Sequence, residues 1–236
     1  MAKPDLATGT ARTPQQDDGL SELSRDELVE RCRSLSSLLS DRERVLRELQ
    51  HRAKNSLQLV ISMLRLQHHR IADPVARAAY DQTMFRVEVL AILYRQIHEA
   101  RSEVSVNLAR YAEEICETAL GNVGDLPTPV HVSVNAEPLH TSLYTAMPLG
   151  LIINELVMSG LRHAYPAEGR MEVILEEEKD GVARLTVTGN GRALPPGFDT
   201  DADNSAMLVE ALATQLGADL DIRGGAGTTS TLTLKL

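Results

Sequence analysis

Between Leu20 and the pair Asp73-Pro74 the chain has no Gly and no Pro, and its apolar residues return at helical intervals. Leu23, Leu28, Cys32, Leu35, Leu39, Leu46, Leu49, Ala53, Val60 and Leu64 recur mostly at steps of three and four, or multiples of them, with charges between. That spacing predicts a long amphipathic helix. Asp73 as N-cap and Pro74 at the first helical position announce a second helix to about Ala100, with Ala76, Ala79, Met84, Val87, Leu90, Ala91, Tyr94 and Ile97 on its apolar side. Two long helices joined by a short turn form an antiparallel hairpin. A hairpin this long cannot bury its stripe alone, so a homodimer closing a four-helix bundle is expected.

Residues 1–20, rich in Pro, Thr, Gln and Asp without periodicity, read as a disordered tail. The hairpin spans 21–103, and a second domain occupies 104–236. In the latter a helix over Leu108–Leu120 precedes a strand at Pro129–Val134 and a helix over Thr141–Arg162. Strands at Met171–Glu176 and Val182–Thr188 form a hairpin around Lys179-Asp180-Gly181. A helix from about Ser205 to Leu216 and strands near Leu220–Ile222 and Thr229–Leu234 complete an α+β fold, with helices covering one face of an antiparallel sheet.

Aromatic residues make up 3% of the chain, without Trp, so Leu, Val, Ile and Ala must build the core. A net charge of -9 argues against sequence-independent nucleic-acid binding, which needs clustered Lys and Arg. Cys32 and Cys116 lack CxxC spacing and read as reduced, partly buried apolar residues. The N-terminus lacks the apolar core of a signal peptide, and Met147–Leu161 is interrupted by Asn154 and Glu155. A cytoplasmic protein without a membrane span is therefore expected.

At about 100° per residue, His51, Asn55, Gln58 and Ser62 share one side of the first helix, opposite Leu46, Leu49, Ala53, Val60 and Leu64, which point toward the bundle core. An exposed imidazole can accept a phosphoryl group, because a neutral ring nitrogen is nucleophilic near neutral pH. Arg52 and Lys54 stand close enough to compensate phosphoryl charge, and Asn55 is one turn on. Periodicity alone equally describes a solvated helix position. The string Glu48-Leu49-Gln50-His51-Arg52-Ala53-Lys54-Asn55-Ser56-Leu57-Gln58 discriminates, because it resembles the H-box of HWE-related sensor histidine kinases (the second HisKA type), E-x-x-H-R-x-K-N-x-L-Q. Arg86-Val87 and the stretch Tyr94 to His98 resemble that family's hairpin return. The resemblance implies that His51 is the phosphoacceptor. His68 and His69 read as solvated, and His131 and His140 have no acidic partner at metal-ligand spacing.

The C-terminal half resembles the GHKL-type catalytic domain of the same kinases. Asn154-Glu155-Leu156-Val157-Met158-Ser159-Gly160-Leu161-Arg162-His163-Ala164 is similar to the N-box N-E-L-x-x-N-A-x-K-H-A, and Gly189-Asn190-Gly191-Arg192-Ala193-Leu194-Pro195 to D-N-G-x-G-L-P. The departures are chemical. The Asn that helps to hold Mg²⁺ is Ser159, the Asp that accepts from the adenine amino group is Gly189, and the second Gly of that box is Ala193. The phosphate-facing G-L-x-L-V reads Ser205-Ala206-Met207-Leu208-Val209, and the segment Asp199–Ser205 is short for an ATP lid. Glu155 reads as a relic or a structural cap. The glycine clusters at Gly189-Asn190-Gly191 and Gly224–Gly227 read as turns.

Losing a buried base-specific hydrogen bond costs about 1–3 kcal/mol, and weakened Mg²⁺ and phosphate contacts add to that. The expectation that follows is a vestigial ATP site near Glu155, Ser159, Gly189 and Gly191, and a histidine phosphotransferase that relays phosphoryl groups between phospho-aspartate receiver domains and His51 without its own ATP. The chain would then bind no cofactor, with Mg²⁺ held by the partner receiver. Two other readings stay open. An autophosphorylating kinase with a divergent pocket requires ATP binding, whereas a non-catalytic receiver-binding module would keep its partner after His51→Ala.

Overall fold

The computed structural model describes residues 24–99, 105–123, 128–162, 168–191, 204–225 and 227–235. The expected N-terminal tail, Ala193 and most of the lid segment lie outside the described residues. The chain divides into two units, Met1–Glu48 and Leu49–Leu236.

Helix α1 (Arg25–His68) begins later than the apolar pattern implies, because Ser24 caps it. The Ser24 hydroxyl accepts from the Glu27 amide at 3.3 Å, and the Glu27 carboxylate accepts from the Ser24 amide at 2.8 Å. This reciprocal box satisfies two orphan amides of the first turn. Those bonds favour the ionised Glu27 and lower its pKa from the ordinary 4.5. In Met1–Glu48 every described residue is exposed, and ion pairs such as Asp41–Arg44 and Glu43–Arg47 add about 0.3–0.5 kcal/mol each.

Helix α2 (Pro74–Glu99) starts as anticipated, with the Asp73 carboxylate accepting from the amides of Val75 and Ala76 at 2.7 and 3.0 Å. Its buried face differs from the expected stripe. Met84, Phe85, Val89, Ile92, Leu93 and Ile97 are buried, whereas Ala76 and Ala79 are exposed. The reason is its company. Strand β1 (Ser105–Asn107) leads into α3 (Leu108–Asn122), and α2 packs against α3 and against α4 (Leu143–Arg162) in one apolar core. Helix α1 contributes little to that core. Among the described side chains of Leu49–His68 only Ile61 is buried, while Leu49 and Val60, expected to face a bundle interior, are exposed in the single chain, as is Leu46 in the other unit.

Strands β2 (Val130–Ala136), β4 (Gly169–Glu177), β5 (Val182–Gly189), β6 (Asp219–Gly224) and β7 (Thr228–Lys235) form one sheet in the order β2-β4-β5-β7-β6. The short β3 (His140–Ser142) pairs with β1. The sheet is mixed, where an antiparallel one was expected: β2 and β4 are parallel. They are joined through α4, and parallel neighbours require such a crossover. Gly181, with φ +72, closes the β4–β5 hairpin. Helix α5 (Asn204–Leu216) packs beside α4. By length and composition α4 is apolar enough to cross a membrane, but Leu149, Ile152, Ile153 and Val157 are wholly buried in the core of this fold.

Candidate functional site

His51 lies on the exposed side of α1, and the structure joins it to Asn55, with Asn55 Nδ2 at 3.1 Å from His51 Nδ1. The i, i+4 spacing stacks the two side chains on one face. With the amide nitrogen donating to Nδ1, the ring proton sits on Nε2. With the amide turned so that Oδ1 accepts from Nδ1–H, the lone pair sits on Nε2. The orientation of the Asn55 amide and the tautomer of the ring are therefore linked. Arg52 lies about a quarter-turn around the helix from His51 and is exposed, while Lys54 is half-buried.

The other histidines have acquired partners. His68 Nε2 is 3.0 Å from Asp81 Oδ1 across the hairpin, so it is not simply solvated, and His131 Nε2 is 3.1 Å from Glu168 Oε1 on the sheet edge. Among the described residues no group of three or more His, Cys, Asp or Glu side chains gathers to hold a metal. Cys116 is buried, but Cys32 is exposed, contrary to expectation.

Glu155 and Ser159 sit one turn apart on α4. Glu155, expected as a relic or a structural cap, is tied to another helix. Arg86 on α2 grips it with two bonds, Nε to Oε1 at 2.9 Å and Nη2 to Oε2 at 3.0 Å, and Asn154 Nδ2 adds a third at 3.3 Å. The Glu155 side chain is only 3% exposed. A buried carboxylate is tolerated when a fork of donors satisfies it, so this pair ties α2 to α4. A second tie stands beside it. The buried Glu88 accepts from Arg65 of α1 at 2.8 Å and from Asn122 of α3 at 2.6 Å. Tyr111 of α3 donates to the Val89 carbonyl at 3.2 Å while its ring covers Gly150 of α4, where no Cβ would fit. Arg86 and Glu88 were not among the expected site residues. Their partners lie far along the chain, and the only hint was a charge at each position inside an apolar face.

Gly189 ends β5, and Asn190 clamps the following turn to β4: its Oδ1 accepts from the Arg170 amide at 2.7 Å, and its Nδ2 donates to the Glu168 carbonyl at 3.2 Å. A Cβ on Gly227 would run into the Gly189 carbonyl, so the two glycine clusters are turns in contact. Ser205 and Ala206, where the kinases carry glycine and leucine, are buried in the first turn of α5.

Residues 48–123, which include His51, Asn55 and Arg86, match the HisKA_2 family, described as histidine kinase. The chain carries a histidine-kinase family domain. It is 29% identical over 195 residues to blue-light-activated histidine kinase 2 of Erythrobacter litoralis, covering 79% of this chain and 55% of that protein. Against sensor histidine kinase PdtaS of Mycolicibacterium smegmatis it is 30% identical over 209 residues, 86% of this chain and 40% of the relative. The chain thus spans about half the length of the curated relatives it matches. Among solved structures, the histidine kinase domain of a blue-light-activated kinase from Erythrobacter litoralis superposes with a TM-score of 0.61 at 26% identity, over 84% of this chain and 93% of that one.

These relatives overturn the ATP-independent relay. The similarity runs through hairpin and sheet domain alike, and the proteins that share both are named kinases, not phosphotransferases. The departures at Ser159 and Gly189 leave the sheet domain's fold in place.

Proposed function

We propose that this chain is the catalytic portion of an autophosphorylating protein-histidine kinase with a divergent ATP site. The observation that supports it is the exposed His51 with Asn55 at Nδ1, in a chain that also carries the GHKL-like sheet domain. With the Asn55 amide turned from the orientation in the structure, so that Oδ1 accepts from Nδ1–H, the Nε2 lone pair attacks the γ-phosphorus of ATP. The N–P bond forms as the bond to the bridging oxygen breaks, ADP leaves with that electron pair, and the ring releases its Nδ1 proton to water. An aspartate oxygen of a response-regulator receiver domain then takes the phosphoryl group, the N–P electron pair returns to Nε2, and Nδ1 regains a proton from water.

Mg²⁺ takes oxygen ligands, and Ser159 keeps a hydroxyl of that class where the kinases carry an amide oxygen. Bound with ATP, the ion neutralises phosphate charge. Glu155 is committed to Arg86 and serves the scaffold. Arg52 and Lys54 contribute positive potential around His51.

Incubation with γ-labelled ATP and Mg²⁺ tests this reading. Acid-labile, alkali-stable label that disappears in His51→Gln is the expected result. No label in the wild-type chain, under conditions in which a reference histidine kinase is labelled, overturns it.

A further inference from the structure

Glu88 is a carboxylate buried where three helices meet. Its side chain, on α2, is 7% exposed. Oε1 accepts from Arg65 Nη2 of α1 at 2.8 Å, and Oε2 accepts from Asn122 Nδ2 of α3 at 2.6 Å. Its two oxygens thus serve different helices. One holds the helix that carries His51, and the other holds the last residue of α3, which packs against β2. A charge this deep is tolerated only where its donors are well placed. None of the three residues takes part in the phosphoryl chemistry at His51.

The place of Arg65 on α1 gives this junction its leverage. Arg65 follows His51 along one unbroken helix, about 21 Å further on and within about 40° of it around the axis. It stands between the face of His51 and that of His68, which reaches Asp81 of α2. Tyr80 of α2 donates to the Leu64 carbonyl at 3.0 Å, so the same turn is pinned from a second side. A helix pinned there is a lever. A tilt of about 5° at Arg65 moves His51 by about 2 Å. Reacting atoms must stand about 3–3.5 Å apart, and a misplacement of about 1 Å costs on the order of 100-fold in rate. We propose that Glu88 is a positioning residue for ATP-dependent phosphorylation of His51. With Arg65 on one oxygen and Asn122 on the other, it fixes the tilt and rotation of α1 against the domain that delivers the phosphoryl group. This deepens the kinase reading and rests on it.

The experiment labels His51 of the full chain with two donors. γ-Labelled ATP with Mg²⁺ reports how well the sheet domain reaches the imidazole. Phosphoramidate needs only an exposed ring: the imidazole nitrogen takes the phosphoryl group, ammonia leaves with the P–N electron pair, and the ring proton goes to water. Glu88→Gln keeps the size of the side chain and an acceptor for Asn122, but no longer holds the guanidinium by charge. Its maximal rate with ATP should fall about 10- to 100-fold. The half-saturating ATP concentration and the phosphoramidate labelling of His51, read by mass spectrometry, should stay as in the wild type. Arg65→Met, at a side chain 62% exposed, should give the same split without disturbing the core. Arg65→Lys keeps the charge and should recover most of the rate. Circular dichroism confirms that each variant is folded. A wild-type ATP rate in folded Arg65→Met, or a loss shared equally by both donors, overturns the proposal and leaves the kinase reading standing. Absence of ATP labelling in the wild-type chain overturns both.

Discussion

Helices α1 and α2 are neighbours in sequence, similar in amphipathic pattern, and opposite in fate. Helix α1 leaves its leucines on the surface, and among the described side chains of Leu49–His68 only Ile61 is buried. Helix α2 has been drawn into the apolar core of the Leu49–Leu236 unit, with Val89 and Leu93 at 1% and 0% exposure and its charges tied to α3 and α4. The helix that presents the histidine is thus lightly held, and the helix beside it belongs to the body that resembles a nucleotide-binding domain. The difference teaches that two helices joined by ion pairs such as Arg65–Glu88 and His68–Asp81 need not share one apolar core. Amphipathicity says that a face will be covered but not by what.

The comparison breaks first at Arg86. Arg86→Ala leaves the Glu155 carboxylate buried without its fork, and should lower stability by about 3–5 kcal/mol in denaturant titration. Leu39→Ala, on the exposed row, should leave the unfolding of the Leu49–Leu236 unit unchanged. If Arg86→Ala is equally silent, α2 is not part of the core in solution. Gly150→Ala sharpens the same point. The added methyl meets the Tyr111 ring, and the displaced phenol loses its bond to Val89, for about 1–3 kcal/mol by thermal melting.

On α1 the expected effects are chemical. Asn55→Ala should slow labelling of His51 about tenfold, the worth of one tautomer-fixing hydrogen bond, with the melting temperature unchanged. A fall in melting temperature with normal labelling would make Asn55 structural. The smallest effect belongs to Ser24–Glu27. The folded pKa of Glu27 lies below its ordinary 4.5, so the cap contributes fully above 4.5 and is lost as pH falls through the folded value. Amide exchange in the first turn of α1 should rise across that window, and Ser24→Ala should abolish the pH dependence.

What was legible in the sequence was local. Asp73-Pro74 announced α2 because cap and first turn are adjacent, and the alternation along Val182–Thr188 announced β5. The box Ser24-x-x-Glu27 was equally local, and overlooked because the apolar pattern reaches back to Leu20. The covered face of α2 could not be read, since Ile115, Leu149 and Ile152, which share its core, come later in the chain. The same distance hid Arg86–Glu155, separated by 69 positions. His51 was legible from a contiguous motif. The substitutions at Ser159 and Gly189 were also plain, but a sequence shows which side chain is missing without showing how much the remaining scaffold supplies.

The burial of α2 in a core completed only by α4 bears on how the protein emerges from the ribosome. When residues 48–123 have been made, the family segment is complete, but Leu149, Ile152 and Glu155 do not yet exist. Phe85, Leu93 and the Arg86 guanidinium then wait in water for partners still to be synthesised. A fragment cut at the family boundary would carry that face permanently bare, and would be expected to clump or to need a chaperone. The unit that holds all the partners of α2's buried face runs from Leu49 to Leu236 and includes the sheet.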